Sequence, residues 1–298
     1  MPGILCLHFK YAACYNNIQS QETVLFIIEK MYIVEILCIG NELLSGITLN
    51  TNAHWLSRKI TKIGGYVRRV IVVRDDLNEI KLAVIDSLNR KPNWIIVCGG
   101  LGPTYDDKTL LGIGKTLKKR LILNSIALDM VKKSYKDRNR IVNINKARLK
   151  MAIIPRGSIP IENPVGNAPG ILLCVHHTQI ICLPGVPGEM KAITTKSILP
   201  RMKQEIGDFT IRETNYHVQG ISEAMISSRL TKIVDSAPSD RLYLKTHPRG
   251  FTKDNIPKLR IQIVAKGKDK SVVQLTHNYI YDTLIKEIRI LNGEVLLK

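Results

Sequence analysis

Two aspartates behind a run of glycines are the most chemically pointed feature of this 298-residue sequence. Gly99-Gly100-Leu101-Gly102-Pro103-Thr104-Tyr105-Asp106-Asp107-Lys108-Thr109 follows an apolar run and leads into helical spacing. Glycine lets the backbone approach a phosphate closely, and free N–H groups at a helix start point toward it. Thr104 and Thr109 add hydroxyls. Asp106 and Asp107 would repel a bare phosphate. They suit one if a hard divalent cation lies between, because Mg²⁺ combines carboxylate oxygens with substrate phosphates. On spacing alone, the alternative is a glycine turn with two helix-capping acids.

Three further segments carry candidate ligand residues, and the first and last of them also stand between a strand and a helix. Gly40-Asn41-Glu42-Leu43-Leu44-Ser45-Gly46, followed by Asn50-Thr51-Asn52, offers Glu42 as general base or metal ligand. Asn41, Ser45, Asn50 and Asn52 could hold a ribose or base; a capped loop before a helix accounts for them equally. Asn163–Gly170 contributes Asn167 and Gly170, and Leu183–Met190 contributes Gly185, Pro187 and Glu189. These two Pro-Gly loops read either as a shaped pocket wall or as turn chemistry. No P-loop lysine motif and no dinucleotide glycine fingerprint occurs, which disfavours those nucleotide modes. His54 reads as an ordinary helix residue, His176–His177 as a hairpin turn, and His247 as part of a basic loop.

The elements that position these segments follow from hydrophobic spacing. Ile33–Ile39, Val67–Val73 and Trp94–Cys98 read as buried strands. Helices are expected from about Asn50 to Ile63, after Asp76 to Pro92, and directly after Thr104, with Asp106 and Asp107 in its first turn. This alternation implies a parallel sheet with helices on both faces, which binds ligands at the carboxyl ends of its strands. Residues 121–150 read as helical. A hairpin joins Gly170–Val175 to Gln179–Leu183, and a helix from Gly188 stops near Pro200. From Phe209 the pattern becomes that of a small α+β domain: strands at Tyr216–Gln219, Arg241–His247 and Lys258–Ala265, helices at Ser222–Val234 and Ser271–Ile290.

Composition narrows the class. An apolar share of 45% is that of a globular chain, and no long uncharged apolar stretch predicts a membrane span. The net charge of +19 is concentrated. Between Lys115 and Lys150 stand twelve Lys/Arg against Asp129 and Asp137. That segment is either a solvated face or a source of positive field drawing a polyanion to the strand ends. Six cysteines form no zinc-like or redox pair. Cys38, Cys98, Cys174 and Cys182 lie in apolar runs and read as buried hydrophobes, consistent with a reducing, cytoplasmic setting. Residues 1–30 carry no secretory signal pattern and read as a loose extension, or as preceding a true start at Met31.

Taken in order, GNELLSG with NTN, GGLGPTYDDKT, GNAPG and LPGVPGEM resemble the CinA family. The resemblance implies an α/β fold: a three-layer αβα MoaB/Mog-type domain with a mostly parallel sheet over residues 31–208, then a small α+β KH-like domain over 209–298. It also implies metal-dependent hydrolysis of a nucleotide pyrophosphate such as ADP-ribose. Relatives on the molybdenum-cofactor branch adenylate molybdopterin instead, and a non-catalytic nucleotide-binding module is a third reading. Carried onto this sequence, Gly99, Gly100, Gly102, Pro103 and Thr104 form a phosphate cradle. Asp106 and Asp107 become metal or catalytic acids, with Glu42 a further acidic candidate. Gly40, Gly46 and Thr109 complete the ligand set. The expected cofactor is a divalent cation (Mg²⁺, Mn²⁺, Co²⁺ or Ni²⁺), and the expected partner a small nucleotide or pterin. The amidase domain of many CinA proteins is not expected here. Neither membrane nor nucleic acid is an expected partner, since Gly220, Gly250, Gly267 and Gly293 supply no GxxG loop. The second domain reads as scaffold or as the contact of a homodimer.

Overall fold

Ile33–Ile39 forms the interior strand β1, apolar enough to be buried on both faces. The structure is a computed structural model that describes residues 31–136, 145–235 and 242–296. The extension expected at residues 1–30 lies outside the described residues. The chain divides into two units, one Lys30–Gly207 and the other containing Asp208–Lys298.

In the first unit, β1 is followed by a single turn α1 (Asn41–Leu44), helix α2 (Thr51–Lys62) and strand β2 (Tyr66–Val73). Next come α3 (Leu77–Asn89), β3 (Trp94–Cys98), α4 (Thr109–Thr116), β4 (Leu121–Leu123), α5 (Ser125–Lys136) and α6 (Lys146–Lys150). Strands β5 (Ile153–Pro155), β6 (Ile159–Ile161), β7 (Gly170–Val175) and β8 (Thr178–Leu183) precede α7 (Pro187–Ile193). The main sheet has the order β2-β1-β3-β8-β7-β6. β2, β1, β3 and β8 run parallel, β7 runs against them, and edge strand β6, antiparallel to β7, returns to the common direction. The mostly parallel sheet is therefore as expected.

Register sorts the side chains into two layers. Leu37, Ile39, Ile95 and Val97 pack with Ile80 and Val84 of α3 and Ile113 of α4. Ile36, Cys38, Ile96 and Cys98 take the alternate positions, which strand geometry sends to the other face. Asn50 caps α2 by accepting from Ala53 N at 3.0 Å, and Asp76 caps α3 through Asn78 N and Glu79 N.

Three local expectations fail for identifiable reasons. The helix expected after Thr104 starts only at Thr109. Residues 121–150 begin with a strand, β4, paired to β5 across Leu121–Pro155. Pro200 does not stop the helix. A π-turn at Thr194–Ile198 reroutes the hydrogen bonds, so Pro200 falls in the first turn of α8 (Leu199–Ile206), where its missing N–H costs little.

The second unit is an antiparallel sheet with the order β10-β11-β9-β12. Its strands are β9 (Thr210–Gln219), β10 (Leu242–Phe251), β11 (Pro257–Gly267) and β12 (Glu294–Leu296). Helices α9 (Glu223–Asp235) and α10 (Lys270–Ile290) cover one face through Ile226, Ile233, Ile280, Leu284 and Ile288. The strands run longer than their apolar cores suggested, because hydrogen bonding carries polar flanks such as Thr210–Asn215 into the ladder.

Candidate functional site

Gly40, Gly99 and Pro184 each stand one residue past the carboxyl end of a parallel strand, so their loops share one sheet edge. Gly170 opens antiparallel β7 at the same edge, beside the end of β8. All four motifs therefore converge there.

Gly99 makes the close approach. Its φ is +113°, and a Cβ there would lie 2.2 Å from the carbonyl oxygen of Ile39. Its N–H donates to Leu183 O at 3.0 Å, tying the ends of β3 and β8. Gly100, also at positive φ, leaves room for the Thr109 hydroxyl. Thr109 is fully buried and donates to Gly99 O at 2.8 Å. Thr109 therefore locks the loop from beneath, and its hydroxyl is spent, which corrects its assignment as a ligand.

The aspartates sit in the loop before α4. The Thr104 N–H donates to Asp107 Oδ2 at 2.8 Å. The Thr104 hydroxyl lies 2.6 Å from the same oxygen and also against Asp106 Oδ1. Its single proton thus serves two carboxylates. This turn is the reason the helix starts late, and it is why Asp106 and Asp107 are not helix-capping acids. Gly102 gives space to the Asp107 carboxylate, which would lie 2.6 Å from a Cβ there. Asp106 Oδ2 and Asp107 Oδ1 receive no hydrogen bond from a described residue. The Asp106 carboxyl is held below its ordinary range, first by the Thr104 hydroxyl, next by its own backbone N–H, and further by Lys150 and Lys108 nearby. Lys150 Nζ, at the end of α6, donates to Thr104 O. The end of the basic segment thus touches this loop.

Two carboxylates of one loop with open oxygens form a hard donor pair suited to Mg²⁺ or Mn²⁺. Among the described residues no group of three His, Cys, Asp or Glu could complete a metal cage. Such an ion would take the rest of its shell from ligand phosphates and water.

The first loop is held separately. Asn41 N donates to Asp75 Oδ2 at 2.9 Å, and the Glu42 carboxylate folds back over the Gly40 α-carbon. No hydrogen bond connects Glu42 to Thr104 or the aspartates. Ser45 Oγ donates to Glu42 O at 3.3 Å, and Gly46 takes a positive φ. Asn50 acts as the α2 cap. Asn52 bridges loops: its Nδ2 donates to Gly185 O at 2.7 Å and lies 3.3 Å from Cys98 Sγ. Its Oδ1 is buried without a partner, leaving one acceptor for a ligand or water.

The remaining motif residues build a wall. Asn163, unranked from sequence, is its organiser. It donates to Ala168 O at 2.8 Å and to Glu189 Oε2 at 2.7 Å, and it accepts from Gly166 N at 2.8 Å. Glu189 is thereby occupied in fixing the loop, and Gly170 is buried in β7, so neither faces a ligand directly. Pro187 sits in the first turn of α7. Asn167 Oδ1 accepts from Ser134 Oγ at 3.2 Å, beside a cavity of about 100 Å³ bounded by Lys133, Glu162 and Asn163. Asn163 had a sequence signal, the Asn-Pro start of its loop. Lys150 and Asp75 had none beyond charge and capping position.

His54, His176 and His177 are exposed, as read, and His176 takes the positive φ of the hairpin turn. Cys38, Cys98 and Cys182 are buried, but Cys174 is exposed near that turn. Burial pushes the Cys98 thiol up to about 12, so it is no nucleophile. No described helix is long and apolar enough to cross a membrane.

A family model described as a probable molybdopterin binding domain matches residues 35–204. A curated protein of Sulfurisphaera tokodaii is 40% identical over 245 residues, covering 82% of this chain and 90% of its own. One of Metallosphaera sedula is 37% identical over 263 residues, covering 88% and 97%. A solved structure of the protein CinA of unknown function from Thermoplasma acidophilum is 39% identical. It covers 59% of this chain and 99% of its own, with a TM-score of 0.53.

Proposed function

Since the chain belongs to the probable molybdopterin binding domain family, as a CinA-like member of MoaB/Mog type, we propose that it hydrolyses a nucleotide pyrophosphate such as ADP-ribose. The observation that carries this reading is the Thr104 turn. It presents two carboxylates with open oxygens beside Lys108 and Lys150, on a glycine loop at the carboxyl edge of the sheet.

In this reading Asp106 and Asp107 would hold a divalent cation, which would supply positive charge against the non-bridging oxygens of the pyrophosphate. Gly99, Gly100 and Gly102 let the phosphates approach the backbone. Thr104 fixes both carboxylates through its shared proton. Lys150 adds positive charge and anchors the loop through Thr104 O. Asn52 Oδ1, locked as an acceptor because Nδ2 is committed to Gly185 O, takes a hydroxyl or amino group of the nucleoside. Glu42, whose carboxylate has no hydrogen-bond partner among the described residues, is the candidate base for water.

The test is turnover of ADP-ribose and related dinucleotides with Mg²⁺, Mn²⁺, Co²⁺ or Ni²⁺, read as AMP release. Asp107→Asn is expected to abolish metal-dependent turnover with the far-UV spectrum unchanged. Full activity in that variant would remove the assignment. The second reading, molybdopterin binding or adenylation, is favoured by the description of the matching family. A pterin that copurifies with the chain, with no AMP release from any dinucleotide, would select it.

A further inference from the structure

The sheet of the second unit is covered by α9 and α10 on one face only. Along β11, Leu259, Ile261, Ile263 and Ala265 are buried on the helix side. The alternate residues form an opposite face on which no described element of this unit packs. Register sorts that face into rows. His247, Arg260 and His217 share one, flanked by Lys245, Gln262 and Asn215 on one side and by Lys258, Gln219 and Glu294 on the other. His247, expected at the end of a strand where a basic loop begins, stands inside strand β10. Tyr243, 47% exposed, lies at the edge of the same face.

The acids on this face are engaged by amides. Glu213 accepts from Gln262 at 2.6 Å and Glu294 from Gln219 at 2.8 Å. The cations are not engaged in this way: Lys245, Lys258 and Arg260 form no ion pair with a described residue. Arg260 Nε is buried and has no hydrogen-bond partner among the described residues. A buried donor left unmade is costly, and an anion would satisfy it.

We propose that this open face binds single-stranded RNA, with Arg260 holding a phosphate between His217 and His247. Strand geometry places Lys258 about 7 Å from Arg260 along β11, and each histidine row neighbour about 5 Å away across the sheet. That gives a stripe of donors for a chain of phosphates. An open four-stranded sheet face suits unpaired bases better than a duplex, with Tyr243 as a stacking ring. One aromatic gives little stacking. With their N–H groups turned to Glu213 and Glu294, Asn215 and Gln219 present their amide oxygens as acceptors for the 2′-hydroxyl, which DNA lacks. A second copy is a poor occupant, since a two-fold contact would set equivalent cations against each other.

The test is fluorescence anisotropy of the full chain with a labelled 12-nucleotide RNA, the DNA of the same sequence, and the RNA duplex. Single-stranded RNA is expected to bind best, with affinity falling steeply with salt. Arg260→Gln is expected to weaken it about tenfold or more, and Lys245→Gln with Lys258→Gln about as much, each with unchanged circular dichroism. The exposed lysine pair keeps the test decisive if Arg260→Gln misfolds. No RNA binding at low salt overturns the proposal. So does equal binding of DNA, or binding lost through Lys132→Gln and Lys133→Gln but kept in the face variants. Binding to anionic vesicles without RNA affinity, or self-association abolished by Arg260→Gln, would assign the face to a membrane or a second copy and overturn it too.

Discussion

The two edges of the first sheet treat polarity in opposite ways. At the amino edge the acids Glu35 and Glu205 are fully engaged. Glu35, on β1, is fully buried and accepts from Arg68 at 2.6 Å and from Arg90 at 2.7 Å. Arg68 also donates to Arg90 O, and Arg90 to Ser87 Oγ. Nearby, Glu205 accepts from Trp94 Nε1 at 3.0 Å, Gln179 Nε2 at 2.6 Å and the Tyr32 hydroxyl. At the carboxyl edge, glycines bring backbones together while Asn52 Oδ1 and two aspartate oxygens stay open. Saturated polarity fixes a fold. Polarity left open at a place that nonetheless folds marks where a ligand is to complete it.

The largest expected effect falls on the saturated edge. Glu35→Gln leaves two arginines around a neutral amide, so unfolding of the first unit should cost about 3 kcal/mol less. Both tryptophans, Trp55 and Trp94, lie in that unit, so their fluorescence reports its unfolding alone. Turnover below the new melting point should be nearly unchanged. A stable variant that has lost its activity would break the contrast between the edges.

The same site predicts a pH signature. Burial pushes the Glu35 carboxyl up, but hydrogen bonds from Arg90, Arg68 and Ser87 outweigh it and hold the group below its ordinary range. A depressed carboxyl stabilises fully above its unfolded value, about 4.3, and the gain is lost as pH falls through the lower folded value. The melting difference between wild type and Glu35→Gln should be constant from neutral pH down to about 5 and shrink below about 4. A difference that persists at pH 3 would show that packing, not charge, holds this edge.

Next in size is Gly99→Ala. The added methyl meets Ile39 O in a backbone region hostile to side chains, at a cost of about 1–3 kcal/mol. Unlike Glu35→Gln, it should remove turnover even where the unit stays folded, because it parts the β1 and β3 loops. Thr109→Val should act more weakly in the same direction. It leaves Gly99 O without its hydroxyl donor, worth about 1 kcal/mol.

The difference between the edges also explains how much could be read in advance. β1, β3 and the α2 and α3 caps were legible because apolar runs and capping side chains are local signals. The Asp106–Asp107 loop was legible as a site, though not as a turn, since Thr104 chooses between capping a helix and bridging two carboxylates only in three dimensions. Glu35 gave no signal. One acid within an apolar strand looks like an exception until Arg68 and Arg90, distant in sequence, converge on it. Arg260 was hidden for the same reason, and Asn163 showed only the Asn-Pro start of its loop, its role being set by Glu189.

The smallest effect sharpens the meaning of the basic segment. Lys150 touches Thr104 O, Lys133 pairs with Glu162 at 3.4 Å, and Lys132 is exposed on α5. If the segment acts as a general field, Lys132→Gln and Lys150→Gln should raise KM alike at low salt. If it acts through contact, only Lys150→Gln should do so, by about threefold to tenfold, the range of one charge-assisted hydrogen bond. Contact is the expected outcome. A field from an exposed lysine is screened beyond about 8 Å at physiological ionic strength. The Lys150 effect should therefore survive at 0.15 M salt, where any Lys132 effect has faded; equal, salt-sensitive shifts for both would return the role to the field.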